Sequence, residues 1–329
     1  MAITVGHGRD SWGSVVEEAT YGSSPGTGES YFEIISESLK QEIEVKSRRS
    51  LRGVSDRKTT LGNKVVGGDL VLDLNFEGMG LFLKHAMGGY SFSADTPVAG
   101  ANTHIFTLLD ALPMGLSVEV SKGDIPTGDV FLYQGCKVDT LDFDLTSDEI
   151  IQLTCGLIAQ TETADGAASA TPSYPTDLPV EWRYSGTLTL AGTAAIEFEE
   201  AKISLANNLR RRFLMHDTTR EPDRGTEKRK VTGEATVEFE DLTLYNKYIA
   251  GTPGTLALTY TSTSFVTGTT PYTIAFSMPN IQLTGLSPIV GGEGPITVAW
   301  PFLSMHDGTS TDALTITIVS GEATLPLEA

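Results

Sequence analysis

The sequence predicts an all-β fold: two tandem β-sandwich or barrel domains, each carrying one short helix. Three observations predict it. Valine and threonine recur in short alternating runs punctuated by 34 glycines, a composition that favours strands and turns. Apolar residues make up 40% of a 329-residue chain, enough for real cores at a length that suits about two ordinary domains. The chain also repeats itself, and a repeat decides the architecture before any local feature does.

The repeat is carried by strand phase, helix spacing and cap. Gly68-Asp69-Leu70-Val71-Leu72-Asp73-Leu74 resembles Gly233-Glu234-Ala235-Thr236-Val237-Glu238-Phe239, 165 positions later. Both alternate with period two, so Leu70, Leu72 and Leu74, like Ala235, Val237 and Phe239, lie on one face of a half-buried strand. The acids Asp69, Asp73, Glu234 and Glu238 fall on the other face. Met79, Phe82 and Ala86 then mark one face of a short helix, as do Leu242, Tyr245 and Ile249. Each helix stops at a glycine, Gly88 or Gly251, able to take the left-handed cap conformation. Upstream, Ile43-Glu44-Val45-Lys46 matches Ile203-Ser204-Leu205-Ala206. Further strands are expected at 114–120, 138–145, 150–158, 186–191, 256–261, 272–277, 296–300 and 314–319. The small, polar, aperiodic stretch before Pro172, Pro175 and Pro179 reads as a linker. The expected organisation is a first domain at 1–160, a linker at 161–179 and a second domain at 180–329.

Charge is uneven. The net charge is −19, from 23 basic and 42 acidic residues. Arg48, Arg49, Arg52, Arg57, Lys58 and Lys64 face one acid, Asp56. Arg210, Arg211, Arg212, Arg220, Arg224, Lys228, Arg229 and Lys230 face Asp217, Glu221, Asp223 and Glu227. Two short basic arms thus hold fourteen of the 23 cations, and each precedes a matched strand. Such an arm has three readings: binding to phosphates, a solvated loop, or docking on the acidic body of another copy, since opposite potentials orient association. Neither arm interleaves aromatics for stacking, and the acidic body repels nucleic acid, so phosphate binding is the weakest reading; docking is the working expectation and the solvated loop the alternative.

Nothing in the sequence points to catalysis. Phosphate-loop, dinucleotide-binding, serine-elbow and HExxH patterns are absent. The five histidines are scattered. Met215-His216-Asp217 and Met305-His306-Asp307 repeat a phrase that would ligate a metal only if the two met in space. Asp139, Asp142, Asp144 and Asp148 lack EF-hand spacing and read as the acidic solvent face of a strand. Cys136 and Cys155 read as small buried hydrophobes in a reducing compartment. No signal peptide and no membrane span are expected, nor any cofactor or enzymatic activity.

Taken in order, the segments resemble the phage tail tube family in its duplicated, siphovirus-like form. The resemblance covers most of the chain. It rests on Ala19-Thr20-Tyr21-Gly22, the strand Ile43–Lys46 with its arm, Gly67 to Leu74, and the helix ending Leu83-Lys84-His85-Ala86-Met87-Gly88. It continues through Ser185 to Leu190 and Ala201 to Asn208. The resemblance implies a structural protein of the virion tail, made in the host bacterial cytoplasm. Its copies pair sheet edge to sheet edge into rings, and the rings stack into a tube around a lumen. The tape measure protein fills that lumen before double-stranded DNA passes through, and tail terminator and distal tail proteins sit at the ends. With two folds per chain, a homotrimer of pseudo-sixfold symmetry is favoured over a hexamer. On this reading Asp69, Asp73, Glu234 and Glu238 face the lumen or its rim, and the arms (Arg48, Arg49, Arg52, Arg57, Lys58, Arg210, Arg211, Arg212, Arg220, Arg224) bridge to the next ring. The alternatives are a tail terminator, a capsid decoration protein or a carbohydrate-binding β-sandwich module. The last wants an aromatic platform, whereas Trp12, Trp182 and Trp300 are far apart in sequence.

Overall fold

The computed structural model describes residues 6–26, 30–47, 58–123, 130–147, 149–164, 171–176, 178–184, 186, 188–213, 220–224, 227–285, 287–290, 292–306 and 313–325. The fold is all-β. Through the first half run β1 (Trp12–Glu17), β2 (Ser30–Phe32), β3 (Ser36–Glu37), β4 (Lys40–Ser47), β5 (Thr59–Asp73), α1 (Gly80–Met87), β6 (Gly88–Ser93), β7 (Asn102–Leu108), β8 (Leu116–Ser121), β9 (Val130–Thr146), β10 (Gln152–Ala159) and β11 (Thr161–Ala164). The second half adds β12 (Leu188–Leu190), β13 (Thr193–Ile196), β14 (Phe198–Ala206), β15 (Leu209–Arg212), β16 (Arg220–Arg224), β17 (Lys230–Glu238), α2 (Thr243–Ala250), β18 (Gly254–Thr267), β19 (Thr270–Leu283), β20 (Thr297–Ser304) and β21 (Thr315–Ser320).

Strand pairing repeats between the halves. In the first, β4 pairs with β5, β5 with β10, and β10 with β9. In the second, β14 pairs with β17, β17 with β20, and β20 with β19. The remaining strands follow suit: β2–β1–β8–β9 is mirrored by β13–β12–β18–β19, and β11 on β9 by β21 on β19. All these pairs are antiparallel. The long β9 serves two sets of neighbours. Its first half pairs with β8 and β11, its second with β10 and β14, and between them Gly135 takes a left-handed φ of 64°.

Two features join the halves. β9 pairs with β14 from Thr146↔Glu200 to Thr140↔Ala206, so the sheet runs unbroken from one repeat into the next. Among the described residues the hairpin β6–β7 has no counterpart in the second half, and β7 pairs with β21. The buried core is shared, with Phe143 of β9 packed edge to face on Phe276 of β19 at 4.9 Å. Cys136 and Cys155 are free and buried, and burial pushes both thiols up.

Local features follow the sequence, with two differences. Leu70, Leu72 and Leu74 are fully buried, as are Ala235 and Val237, in the expected phase. The upstream match is displaced, however. Through β5 and β17, the pairings set Glu37–Glu42 against Ala201–Ala206, so Leu39, not Ile43, occupies the place of Ile203. A four-residue slip keeps the alternation in phase, and pattern alone does not detect it. The second difference concerns the helices. All eight residues of α1 are buried, and its Lys84 and His85 meet Glu17 at 2.6 and 3.0 Å. Burial alone would raise the Glu17 carboxyl. The His85 and Lys84 hydrogen bonds outweigh it and hold the carboxyl below its usual range. No residue of α2 is buried, and the expected apolar face leaves Leu242 and Ile249 55% and 64% exposed.

The C-terminal segment closes over α1. Glu322 accepts a hydrogen bond from the Gly78 amide, and its own carbonyl accepts from Asn102 and bonds His104. Burial pushes its carboxyl up to about 7, with nearby Glu77 adding to the rise. A folded-state value above the unfolded one means that its contribution to stability is fully present below about 4.5 and is lost as pH rises through about 7. Glu322→Gln should therefore melt higher than wild type above pH 7, by at most about 3 kcal/mol, and similarly to it below pH 4.5. Thermal melts at the two extremes measure this, and an equal offset at both would refute it.

Candidate functional site: an acidic sheet face and two basic arms

Directly opposed residues in adjacent strands project to the same face of a sheet. Leu70, Cys155, Leu141, Leu205, Val231, Ala235 and Trp300 point to the core, so their neighbours define the opposite face. On β5 that face carries Asp69 and Asp73. Across β10 and β9 it carries Thr154, Gln152, Asp142 and Asp144. Past the junction it carries Glu200, Lys202 and Ser204 of β14, then Lys230, Thr232, Glu234 and Glu238 of β17. Asp69 and Glu238 are exposed, and Asp73 and Glu234 half-buried.

All four acids expected on one surface therefore share one, together with Asp142, Asp144 and Glu200. Seven carboxylates against two lysines, set among threonine, serine and glycine, make a polar face of one dominant sign. Lys202 lies 3.7 Å from Asp144, and Ser204 donates to Asp142. Asp139 belongs elsewhere: it accepts from the Leu209 amide at 2.7 Å, and burial raises its carboxyl despite that bond and the nearby Arg211. Asp148 lies outside the described residues.

Each arm is a β-hairpin. In the first, β4 and β5 extend past the sheet body, pairing Val45↔Leu61 and Ser47↔Thr59. Its expected residues Arg48, Arg49, Arg52 and Arg57 lie outside the described residues. Lys58 is exposed, as are Val45 (60%) and Leu61 (71%). The second arm is β15–β16, with Arg210↔Asp223 and Arg212↔Arg220 opposed. Arg210 and Arg212 are exposed, and the side chains of Arg220 and Arg224 lie outside the described residues. Arg211 folds inward instead, donating to the Val66 carbonyl at 2.6 Å.

Arg229, which sequence reasoning placed in a basic run without a role, clamps the two halves. Its guanidinium donates to Asn207 Oδ1 (2.5 Å) and to the carbonyls of Met87 (3.0 Å), Leu109 (2.5 Å) and Ala86. Asn207 in turn donates to Ala86 and Val138. These carbonyls include the C-terminal end of α1, where backbone oxygens need donors and the helix dipole favours a cation.

Among the described residues, no group of three or more His, Cys, Asp or Glu is placed to hold a metal ion. His216, Asp217 and Asp307 of the repeated Met-His-Asp phrase lie outside them. No described helix is long and apolar enough to cross a membrane. What the geometry offers is a wide, predominantly acidic surface, paired strand edges and projecting hairpins.

A search of curated proteins returned no match. Residues 8–304 match the family model described as phage tail tube protein, and the chain belongs to that family.

Proposed function

We propose that this structural tail protein closes into rings of three chains, each chain contributing two tail-tube folds (1–160 and 180–329, joined by 161–179). The rings stack into the tube through which double-stranded DNA leaves the virion. The observation that carries this reading is the sheet continuous across β9–β14, with an acidic, hydroxyl-rich face. Continued from chain to chain, that face closes into a lumen lined by Asp69, Asp73, Glu234 and Glu238. Such a wall repels phosphates, so DNA slides without the counterion-release binding that a basic wall would produce. The tape measure protein occupies the same lumen before ejection, and terminator and distal tail proteins meet the two end rings.

The basic hairpins project from the sheet and reach the acidic body of the neighbouring ring. Lys58, Arg210 and Arg212 are exposed among the described arm residues and serve that contact. Lys58→Glu with Arg210→Glu should leave single rings intact but shorten the tubes and lower the salt concentration at which stacks fall apart. Tube length and salt sensitivity equal to wild type would sink the bridging role. The first experiment is negative-stain microscopy of the purified protein at low and high salt. Hollow tubes or stacked rings establish the reading, and their symmetry distinguishes three chains from six. Closed rings that never stack would replace it with a terminator role.

A further inference from the structure

We infer that the joint between chains copies the joint within the chain: the edge Ser36–Glu42 and hairpin base of one copy seat on Thr284–Val290 and the end of α2 of another. This rests on the ring reading above and names the surfaces that make the ring.

The within-chain joint has three parts. β14 pairs with the second half of β9, Asn207 meets the Ala86 carbonyl, and Arg229 caps the end of α1. The repeat assigns a counterpart to each. Ladder positions carry Glu200–Ala206 onto Ser36–Glu42, Asn207 onto Ile43 and Arg229 onto Lys64. The matched helix ends carry Ala86 onto Ile249. Pairings to β10 and β20 carry Val138 onto Leu283, so the chain beyond Leu283 corresponds to the part of β9 that receives β14.

Among the described residues, that part is not a strand in the second half. Between β9 and β10 five residues suffice, 147–151; between β19 and β20 there are thirteen, 284–296. The excess is about the length of the β9 segment that pairs with β14. Ile289 and Val290 in this stretch are 75% and 72% exposed, while the pairing of β3 and β4 extends to β5 alone among the described strands. An open strand edge and a displaced strand-length segment complement each other, and pairing them removes an edge that would otherwise aggregate. The counterpart register, allowing for the extra residue Asp139 at the bulge between Val138 and Thr140, puts Gly285 opposite Gln41, Ser287 opposite Leu39 and Val290 opposite Ser36.

The other two contacts are also complementary. Where Asn207 meets Ala86 inside the chain, the joint between chains brings Ile43 (37% exposed) to Ile249 (64% exposed), an apolar pair replacing a polar one. Where Arg229 caps α1, exposed Lys64 faces the end of α2, again a cation at a helix C-terminus. The partner is thus a second copy of this chain, met head to tail, the interface type that generates rings.

The test uses the full chain with Ser36→Cys and Val290→Cys, both exposed, assembled and then mildly oxidised. Opposed strand residues lie within disulfide reach, and the native cysteines are buried. Denaturing gels should show a ladder of covalent multimers ending at the number of chains in the ring. Control pairs of Ser36→Cys with Glu293→Cys should give none. Tubes that form without the cross-link overturn this joint while leaving the ring reading intact; wild-type protein that forms neither ring nor tube overturns the ring reading itself. Should the cysteine variant not assemble, Ile249→Asp decides. It should keep the monomer melting temperature and lose ring formation, and Ile43→Lys in the same chain should restore rings. Wild-type assembly by Ile249→Asp overturns the joint.

Discussion

Replacing Arg229 by alanine should destabilise the folded chain by about 3 kcal/mol, the largest stability effect expected of any single basic residue here. The guanidinium satisfies carbonyls of Ala86, Met87 and Leu109 and the Asn207 side chain at once. Its removal leaves partly buried acceptors near a helix end without their donor, and those acceptors carry the cost. Arg229→Lys should recover less than half, because an ammonium has no planar fork with which to reach several carbonyls. The three carbonyl acceptors sit in the first repeat and the donor in the second, so the loss falls on the coupling between repeats. Urea unfolding of the alanine variant should show a lower midpoint and, as the coupling weakens, a transition broadened or split in two. An unchanged midpoint would mean that the clamp contributes nothing beyond what water supplies.

Much of the architecture is legible in the residues, for identifiable reasons. The phase of Leu70, Leu72 and Leu74 against Asp69 and Asp73 is set locally by period two, and the same holds for Ala235 and Val237 against Glu234 and Glu238. Gly88 and Gly251 end their helices as expected, with positive φ of 93° and 62°. What escaped depends on long-range pairing. Nothing local places Asp142 and Asp144 beside Lys202 and Ser204, because that neighbourhood exists only once β9 pairs with β14, about 60 positions along the chain. The slip that puts Leu39 where Ile203 sits preserves the alternation and so leaves no trace in the pattern.

The helices and the arms show a second kind of limit. Leu242 and Ile249 have the spacing of a buried face, yet they are exposed in the isolated chain; α1 has β6–β7 packed beside it, and among the described residues α2 has no such hairpin. Arg211 and Arg229 read as members of two charge runs, and composition does not distinguish a solvated cation from one that folds back onto a carbonyl. The internal comparison of the two repeats does: positions used inside the chain at one joint and left open at its equivalent mark the surfaces that another copy covers.

The acidic face makes the sharpest functional prediction. Asp73→Lys with Glu238→Lys changes matched positions in the two repeats, exposed or half-buried and away from the core. The variant should assemble like wild type but hold DNA. Each lysine brought to a phosphate releases about one counterion, steepening the fall of log affinity with log salt by roughly 0.9 per contact. A ring repeats every contact, so small local gains add up along the tube. Assembled wild-type tubes should pass duplex fragments without retaining them, whereas variant tubes should retain them at low salt and release them as salt rises. Phage carrying the variant should eject DNA slowly and incompletely despite normal tails under the microscope. Normal ejection and no retention by intact variant tubes would place Asp73 and Glu238 outside the lumen, turning the acidic face toward solvent or toward whatever surrounds the tube.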